Sequence, residues 1–148
     1  MSARSKARKR ALDLLYSAEL RGIELDEAIA TEAARAGRSP ERAGSWPYAR
    51  QIAQGVAEHA VEIDELIAAH ARGWTIERMP AVDRAIARMA VWEIVYNPEV
   101  PDPVAIAEAV GLATELSTEE SGGFVNGLLA AIARSSGDGT ADDAGTAD

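Results

Sequence analysis

Five cationic side chains crowd the start of the chain, in the stretch RSKARKRALDLLY that spans residues 4–16. The whole chain of 148 residues has a formal net charge of −9, so this cluster is opposite in sign to the rest of the molecule. Clustered Lys and Arg on an acidic protein are typical of a site for phosphate groups, such as those of a nucleic-acid backbone. The five cations are Arg4, Lys6, Arg8, Lys9 and Arg10.

The same cations disfavour the helix that carries them. Apolar residues recur at positions 7, 11, 14, 15 and 18, which predicts an amphipathic helix that ends near Gly22. Cations near a helix N-terminus oppose the helix dipole by roughly 0.3–1 kcal/mol each, so folding alone does not explain the cluster. The pattern predicts a phosphate-binding arm, with Tyr16 placed to stack on an unpaired base. A solvated arm, or one paired with the acidic body, is the alternative.

No group of residues predicts catalysis or metal binding. There is no cysteine, and the two histidines, His59 and His70, lie 11 residues apart, which is roughly 16 Å along a straight helix. The chain has neither a phosphate-loop motif nor a nucleophile elbow. We therefore expect no catalytic residue, no bound metal and no cofactor.

The composition favours packed helices. Hydrophobic residues make up 47% of the chain but aromatic residues only 5%, and alanine supplies much of the difference. No stretch approaches the roughly 20 apolar residues that span a bilayer. No signal-peptide pattern follows the basic start. We expect a cytoplasmic protein without membrane contact.

Helical spacing of apolar residues continues to about residue 134 and predicts an all-α bundle of about six or seven helices. The segment 45–72 fits either one long helix or two helices with a bend. The three tryptophans, Trp46, Trp74 and Trp92, are expected to anchor the core or its edge. Residues 135–148 contain no large apolar side chain and four aspartates, which predicts a disordered acidic tail.

Four stretches together resemble the NusB family of bacterial transcription antitermination factors, in its actinobacterial form. The resemblance runs in order over residues 3–134 and is weakest at 22–45. The FVNG motif in a helical context after an AxELST segment is its most specific part. The four stretches are ARKRALDLLYSAELRG, GWTIERMPAVDRAIARMAVWEIVY, VPDPVAIAEAVGLATELSTEES and FVNGLLAAI.

The resemblance implies an all-α, NusB-like fold of two small helical subdomains over residues 1–134. It also implies a protein that is not an enzyme and that binds boxA-type single-stranded RNA of nascent ribosomal RNA transcripts. Its partners would be NusE, a small-subunit ribosomal protein, and the antitermination complex of RNA polymerase with other Nus factors. Members of the family form homodimers that hide the RNA-binding arm, so a homodimer is a further expectation.

Matched by position, the family's motifs imply a set of site residues in this chain. Gly122 and Gly123 depart from the bulkier or proline residues usual before the FVNG motif, which predicts a looser first turn of that helix. The RNA-binding residues would be Arg4, Lys6, Arg8, Lys9, Arg10, Tyr16, Glu120, Phe124 and Asn126. The residues in contact with NusE would be Glu77, Arg78, Asp83, Glu120 and Phe124.

Two other functions stay open at this stage. The first is a stand-alone NusB-like RNA-binding domain in ribosomal RNA processing or modification, because similar domains form part of some ribosomal RNA cytosine methyltransferases. The second is a self-associating helical scaffold without RNA binding, whose basic arm would dock on an acidic partner.

Overall fold

The computed structural model describes the backbone of residues 2–147 and the side chains of residues 2–136. Within that range the chain is helical without a strand, so the predicted all-α class is confirmed. A short 3-10 helix, Ile76–Arg78, precedes α6. The α-helices are α1 (Ala3–Arg21), α2 (Leu25–Ala36), α3 (Pro40–Ala43), α4 (Trp46–Glu58), α5 (Ala60–His70), α6 (Ala81–Tyr96), α7 (Asp102–Leu116) and α8 (Ser121–Ala147).

The first helix ends where the sequence predicts. Gly22 has φ +65°, a left-handed conformation that a residue without Cβ adopts readily. Its N–H donates to the carbonyls of Ala18 and Glu19, which satisfies backbone acceptors at the end of the helix. On the inner face, Ala7 and Ala11 are almost fully buried, and their small side chains let α1 lie close to its neighbours.

The helices form two groups that share one hydrophobic core. Helices α1–α4 pack mainly on one another, and α5–α8 do the same. Helix α6 contacts α1 and α4 of the first group as well as α5, α7 and α8 of its own group. Its buried run includes Ile86, Met89 and Val91, which are between 0% and 1% exposed. Helix α6 is therefore the element against which the basic first helix is positioned.

The segment 45–72 forms two helices with a break between them. His59 has φ −115° and ψ 25°, which is outside helical geometry, so α4 ends at Glu58 and α5 begins at Ala60. The His59 ring stacks on Tyr96 with 3.8 Å between ring centroids. The side chain at the break thus packs against the end of α6.

The predicted disordered tail, residues 135–148, lies almost entirely outside the residues whose side chains are described. It stays a prediction, as does the domain boundary at residue 134.

Gly55 marks the tightest helix contact, because a Cβ at this position would overlap the indole ring of Trp92. We expect Gly55→Ala to lower the free energy of unfolding by about 1–3 kcal/mol, since overpacking outweighs the gain in helix propensity. Urea unfolding followed by circular dichroism measures this. In the matched control, Gly111→Ala, a Cβ would meet nothing within 4 Å, so up to about 1 kcal/mol of stabilisation is expected. Equal effects at the two positions would contradict the packing.

Candidate nucleic-acid interface

The first helix carries all five clustered cations, but its geometry sends them in different directions. Ser2 caps α1 by accepting a hydrogen bond from the Ser5 N–H, and the first turn has no acidic side chain. Arg4 and Lys6 are exposed, whereas Arg8 is buried. The two cations that follow Arg8 are half-buried. The cluster is therefore not one uniform arm.

Arg8 forms a buried ion pair with Glu93 of α6. The two residues are 2% and 1% exposed, and Arg8 Nε donates to both carboxylate oxygens of Glu93 at 2.9 and 3.0 Å. Arg8 Nη1 also lies 3.4 Å from a carboxylate oxygen of Glu108 in α7. Charged groups taken out of water require partners of this kind, and losing one partner leaves the other as a buried, uncompensated charge.

Tyr48 and Asn97 complete the polar network around Glu93. The Tyr48 hydroxyl donates to Glu93, and Asn97 Nδ2 donates to the Tyr48 oxygen at 3.2 Å. Burial and the Glu93 hydrogen bond raise the pKa of Tyr48, so the phenol keeps its proton. Burial lowers the pKa of Arg8, but the hydrogen bond and charge of Glu93 outweigh it, and the pKa lies above its ordinary value. No buried side-chain nitrogen or oxygen among the described residues lacks a partner.

The position of Arg8 differs from the exposed arm that the sequence predicts. Arg8 falls on the side of α1 that faces α6, where Glu93 holds its guanidinium. In this structure Arg8 is buried and paired with Glu93, which fixes α1 against α6. A direct contact of Arg8 with RNA stays a prediction.

Arg4 and Lys9 each have one acidic partner at the surface. The Arg4 guanidinium lies 4.7 Å from the centroid of the Tyr48 ring and 3.4 Å from Glu99. Lys9 Nζ lies 2.8 Å from Glu115 of α7. Exposed ion pairs of this type contribute roughly 0–1 kcal/mol and are weakened by salt, so both cations can exchange these partners for phosphate.

Arg10 faces the opposite side of α1. Its guanidinium pairs with Glu32 of α2 at 2.5 Å and donates to the Arg42 carbonyl at 2.6 Å and to Ser45 Oγ at 2.9 Å. Arg10 thereby ties α1 to the loop around α3. Lys6 is exposed and, of the five clustered cations, is the one without an ion pair to any side chain in the described range, so it is the most available of the five for a phosphate.

Tyr16 is half-buried and packs against the hydrophobic core. Part of its ring stays accessible on α1. Stacking of this ring on a base therefore stays a prediction.

A second group of predicted residues meets where α6 and α8 begin. Asp83 is only 3% exposed, and it accepts hydrogen bonds from Ser117 Oγ at 2.5 Å and Ser121 Oγ at 2.8 Å. The buried carboxylate thus holds the loop between α7 and α8 against α6. Asp83 positions Glu120 and Phe124, which follow on that loop and on the first turn of α8.

Glu120 and Phe124 line a cavity of about 550 Å³ that also contains Trp74. The rings of Trp74 and Phe124 have their centroids 5.9 Å apart and are tilted by 47°. Two further acidic side chains, Asp83 and Glu119, line the cavity, and no cation of the described residues does. The cavity therefore combines two aromatic rings with negative charge.

Trp74 is a candidate site residue that the sequence did not reveal. It was expected at the core or its edge, but its exposure is 43%, against 9% for Trp46 and 5% for Trp92. Trp74 follows Gly73, whose φ of +80° places the tryptophan in a tight loop outside the helical pattern. A tryptophan directly after a glycine, in a loop, was the feature of the sequence that could have indicated an exposed Trp74.

The remaining predicted residues do not line this cavity. Glu77 and Arg78 are exposed on the 3-10 helix, and Asn126 is exposed on α8. Gly122 sits against α7, where a Cβ would come within 2.8 Å of Thr114 Oγ1. A glycine at this position allows close approach of two helices, so the departure from the family pattern has a packing reason.

Other kinds of site are not found in the described part of the chain. No group of three or more His, Cys, Asp or Glu side chains there could hold a metal ion. No described helix has both the length and the apolar character needed to cross a bilayer.

Comparison with known proteins decides the family. The model of the NusB family matches residues 5–134. The chain belongs to the NusB family. It is 62% identical over 134 residues to the transcription antitermination protein NusB of Leifsonia xyli, covering 90% of this chain and 93% of the relative. It is 59% identical to the protein of that name from Clavibacter sepedonicus, covering 90% and 97%.

Solved NusB structures share the fold. The structure of NusB from T. maritima superposes with a TM-score of 0.77 at 30% identity, covering 88% of this chain and 90% of that one. A chain from the crystal structure of antitermination factors NusB and NusE in complex with double-stranded RNA gives a TM-score of 0.77 at 28% identity, covering 91% and 98%.

The buried ion pair makes a direct prediction about stability. Arg8→Met leaves Glu93 buried and uncompensated, so we expect a loss of about 3–5 kcal/mol in the free energy of unfolding, measured with urea. The control Lys9→Met removes an exposed pair and is expected to cost at most about 1 kcal/mol. Adding Glu93→Gln to Arg8→Met should recover part of the loss. If Arg8→Met costs no more than Lys9→Met, the pair does not hold α1 in place.

Proposed function

We propose that this NusB-family protein is a transcription antitermination factor. It binds boxA-type single-stranded RNA together with NusE and helps RNA polymerase resist termination. It works in the cytoplasm, by binding and without catalysis or a cofactor. In this role the basic turns of α1 contact RNA, and the cavity at the start of α8 faces the protein partner.

The observation that carries the RNA-binding role is the concentration of positive charge on α1. An acidic protein repels nucleic acid on average, so binding needs a local cationic surface. Arg4 and Lys6 are exposed on the first two turns of α1, and Lys9 is partly exposed on the next. The buried pair of Arg8 and Glu93 holds these turns on the body of the protein, so RNA meets cations that are already positioned.

The relatives support the same role. The proteins that match at 62% and 59% identity are transcription antitermination proteins. A solved structural neighbour is a complex of NusB and NusE with RNA.

The acidic and aromatic cavity is better suited to a protein than to RNA. Asp83, Glu119 and Glu120 would repel phosphate groups, whereas the exposed Trp74 and the half-buried Phe124 are the kind of residue that anchors protein interfaces. We place NusE at this cavity and at the neighbouring 3-10 helix, where Glu77 and Arg78 are exposed.

Fluorescence anisotropy with a boxA-type RNA and a scrambled RNA, with and without NusE, tests the RNA-binding role. We expect the boxA-type RNA to bind more tightly, and NusE to increase the affinity. Arg4→Ala with Lys6→Ala should weaken binding and make the salt slope shallower by about 1.4, at about 0.7 per lost phosphate contact.

The matched control is Arg134→Ala, which removes an exposed cation in the middle of α8 and should leave binding unchanged. Absence of RNA binding in the presence of NusE would contradict the proposed function. An equal loss in Arg134→Ala would show that net charge, and not α1, governs binding.

The partner surface is testable through Trp74, because the other two tryptophans are buried. Acrylamide should quench Trp74 in the free protein, and NusE should reduce that quenching. Trp74→Phe provides the baseline, since the difference between the two proteins isolates the signal of Trp74. Unchanged quenching while NusE co-elutes with the chain would place NusE elsewhere.

A further inference from the structure

A cleft of about 750 Å³ lies between α1 and the pair α2–α3, on the side of α1 opposite to α7. Six cationic and four acidic side chains line it. One of the cations, Lys9, is paired with Glu115 of α7, so the other nine side chains give the cleft a net charge of +1 in a protein of net charge −9. The cations are Lys6, Lys9, Arg10, Arg21, Arg35 and Arg42. Half of them come from the basic turns of α1, so the cleft continues the cationic surface described above.

Three guanidinium groups in this cleft share one carboxylate. Glu32 lies 2.5 Å from Arg10, 2.9 Å from Arg42 and 3.9 Å from Arg35. A single negative charge compensates only one of them, so the group as a whole keeps a charge of +2. The Arg35 and Arg42 side chains are 63% and 48% exposed, and Glu32 only 15%. The uncompensated positive charge is therefore on the solvent side.

On the opposite side of α1, which faces α6 and α7, the cations are paired differently. There Arg4 pairs with Glu99 and Lys9 with Glu115, and Arg8 pairs with both Glu93 and Glu108, so each cation has at least one carboxylate. Positive charge is matched on the α6–α7 side and in excess on the α2–α3 side. An anionic strand that touches the exposed Lys6 is attracted toward the excess.

Glu32 and Arg10 also explain why the cleft is preformed. Arg10 is fixed by three partners, namely Glu32, the Arg42 carbonyl and Ser45 Oγ. Arg42 donates to Glu32 as well. Guanidinium groups held in place before binding lose less side-chain entropy when they contact a phosphate.

We propose that RNA continues from the start of α1 into this cleft, where Arg35 and Arg42 contact its phosphates and Glu32 limits the affinity. This inference rests on the proposed RNA-binding function and extends it to a segment, residues 22–45, where the family's motifs are weakest. It assigns RNA contacts to α2 and α3, where the resemblance placed none.

Glu32→Gln is the decisive variant, because two roles for Glu32 predict different changes in RNA affinity. A purely structural ion pair predicts unchanged or weaker binding, whereas an RNA-binding cleft predicts tighter binding. Removing the carboxylate leaves three guanidinium groups for the phosphates, so RNA affinity should rise severalfold and the salt slope should steepen. Anisotropy with the boxA-type RNA measures both. Unchanged or weaker RNA binding by a folded Glu32→Gln protein overturns the proposal.

Arg35→Ala with Arg42→Ala provides the second test. We expect about tenfold weaker binding and a salt slope shallower by about 1.4, which corresponds to two lost contacts with single-stranded RNA. Arg38→Ala is the matched control, since Arg38 is exposed between the two positions but does not line the cleft. Thermal melts verify that each variant is folded.

The outcomes separate this inference from the function on which it rests. If the double variant binds RNA like Arg38→Ala while Lys6→Ala still weakens binding, RNA binding in the cleft is overturned and the proposed function stands. If the unaltered protein binds no RNA with NusE present, the proposed function fails and the cleft fails with it.

Discussion

The buried pair of Arg8 and Glu93 is the interaction on which the arrangement of this surface depends. It fixes the second turn of a helix whose N-terminal charges oppose the helix dipole, and it does so through α6, which contacts both groups of helices. Tyr48 and Asn97 satisfy the remaining polar atoms around Glu93. The basic turns are therefore part of the folded body, and the cations beside Arg8 present a fixed pattern of charge to a ligand.

The charge differs between the surface around α1 and the cavity at the start of α8. On the α7 side each cation of α1 has a carboxylate partner, whereas on the α2–α3 side three guanidinium groups share Glu32. At the start of α8 the charge has the opposite sign, because carboxylates, and no cation within the described part of the chain, line the cavity beside Trp74 and Phe124. In the proposed function, RNA and the protein partner therefore meet separate surfaces, each of suitable charge, so that both can bind together.

The helices could be predicted because they depend on residues close together in the sequence. The contacts between helices could not, because they join residues far apart in the sequence. Apolar spacing and Gly22 placed α1 correctly because both act within a few residues. The pairing of Arg8 with Glu93 spans 85 residues, and nothing in a run of five cations indicates which one turns inward. Trp74 was missed because a loop has no periodicity to show which side chains are exposed. The cleft around Glu32 lies in the segment with the weakest family motifs, so resemblance did not reveal it either.

The most direct test of the central claim is an NMR titration of the ¹⁵N-labelled protein with the boxA-type RNA, read as shifts of the backbone amides. If RNA meets the unmatched cations, the largest shifts should fall on the first three turns of α1 and on residues 32–45. Amides of α7 away from Glu115, the partner of Lys9, should change little. Shifts concentrated on α7, or at the Trp74 cavity with α1 unchanged, would contradict the claim.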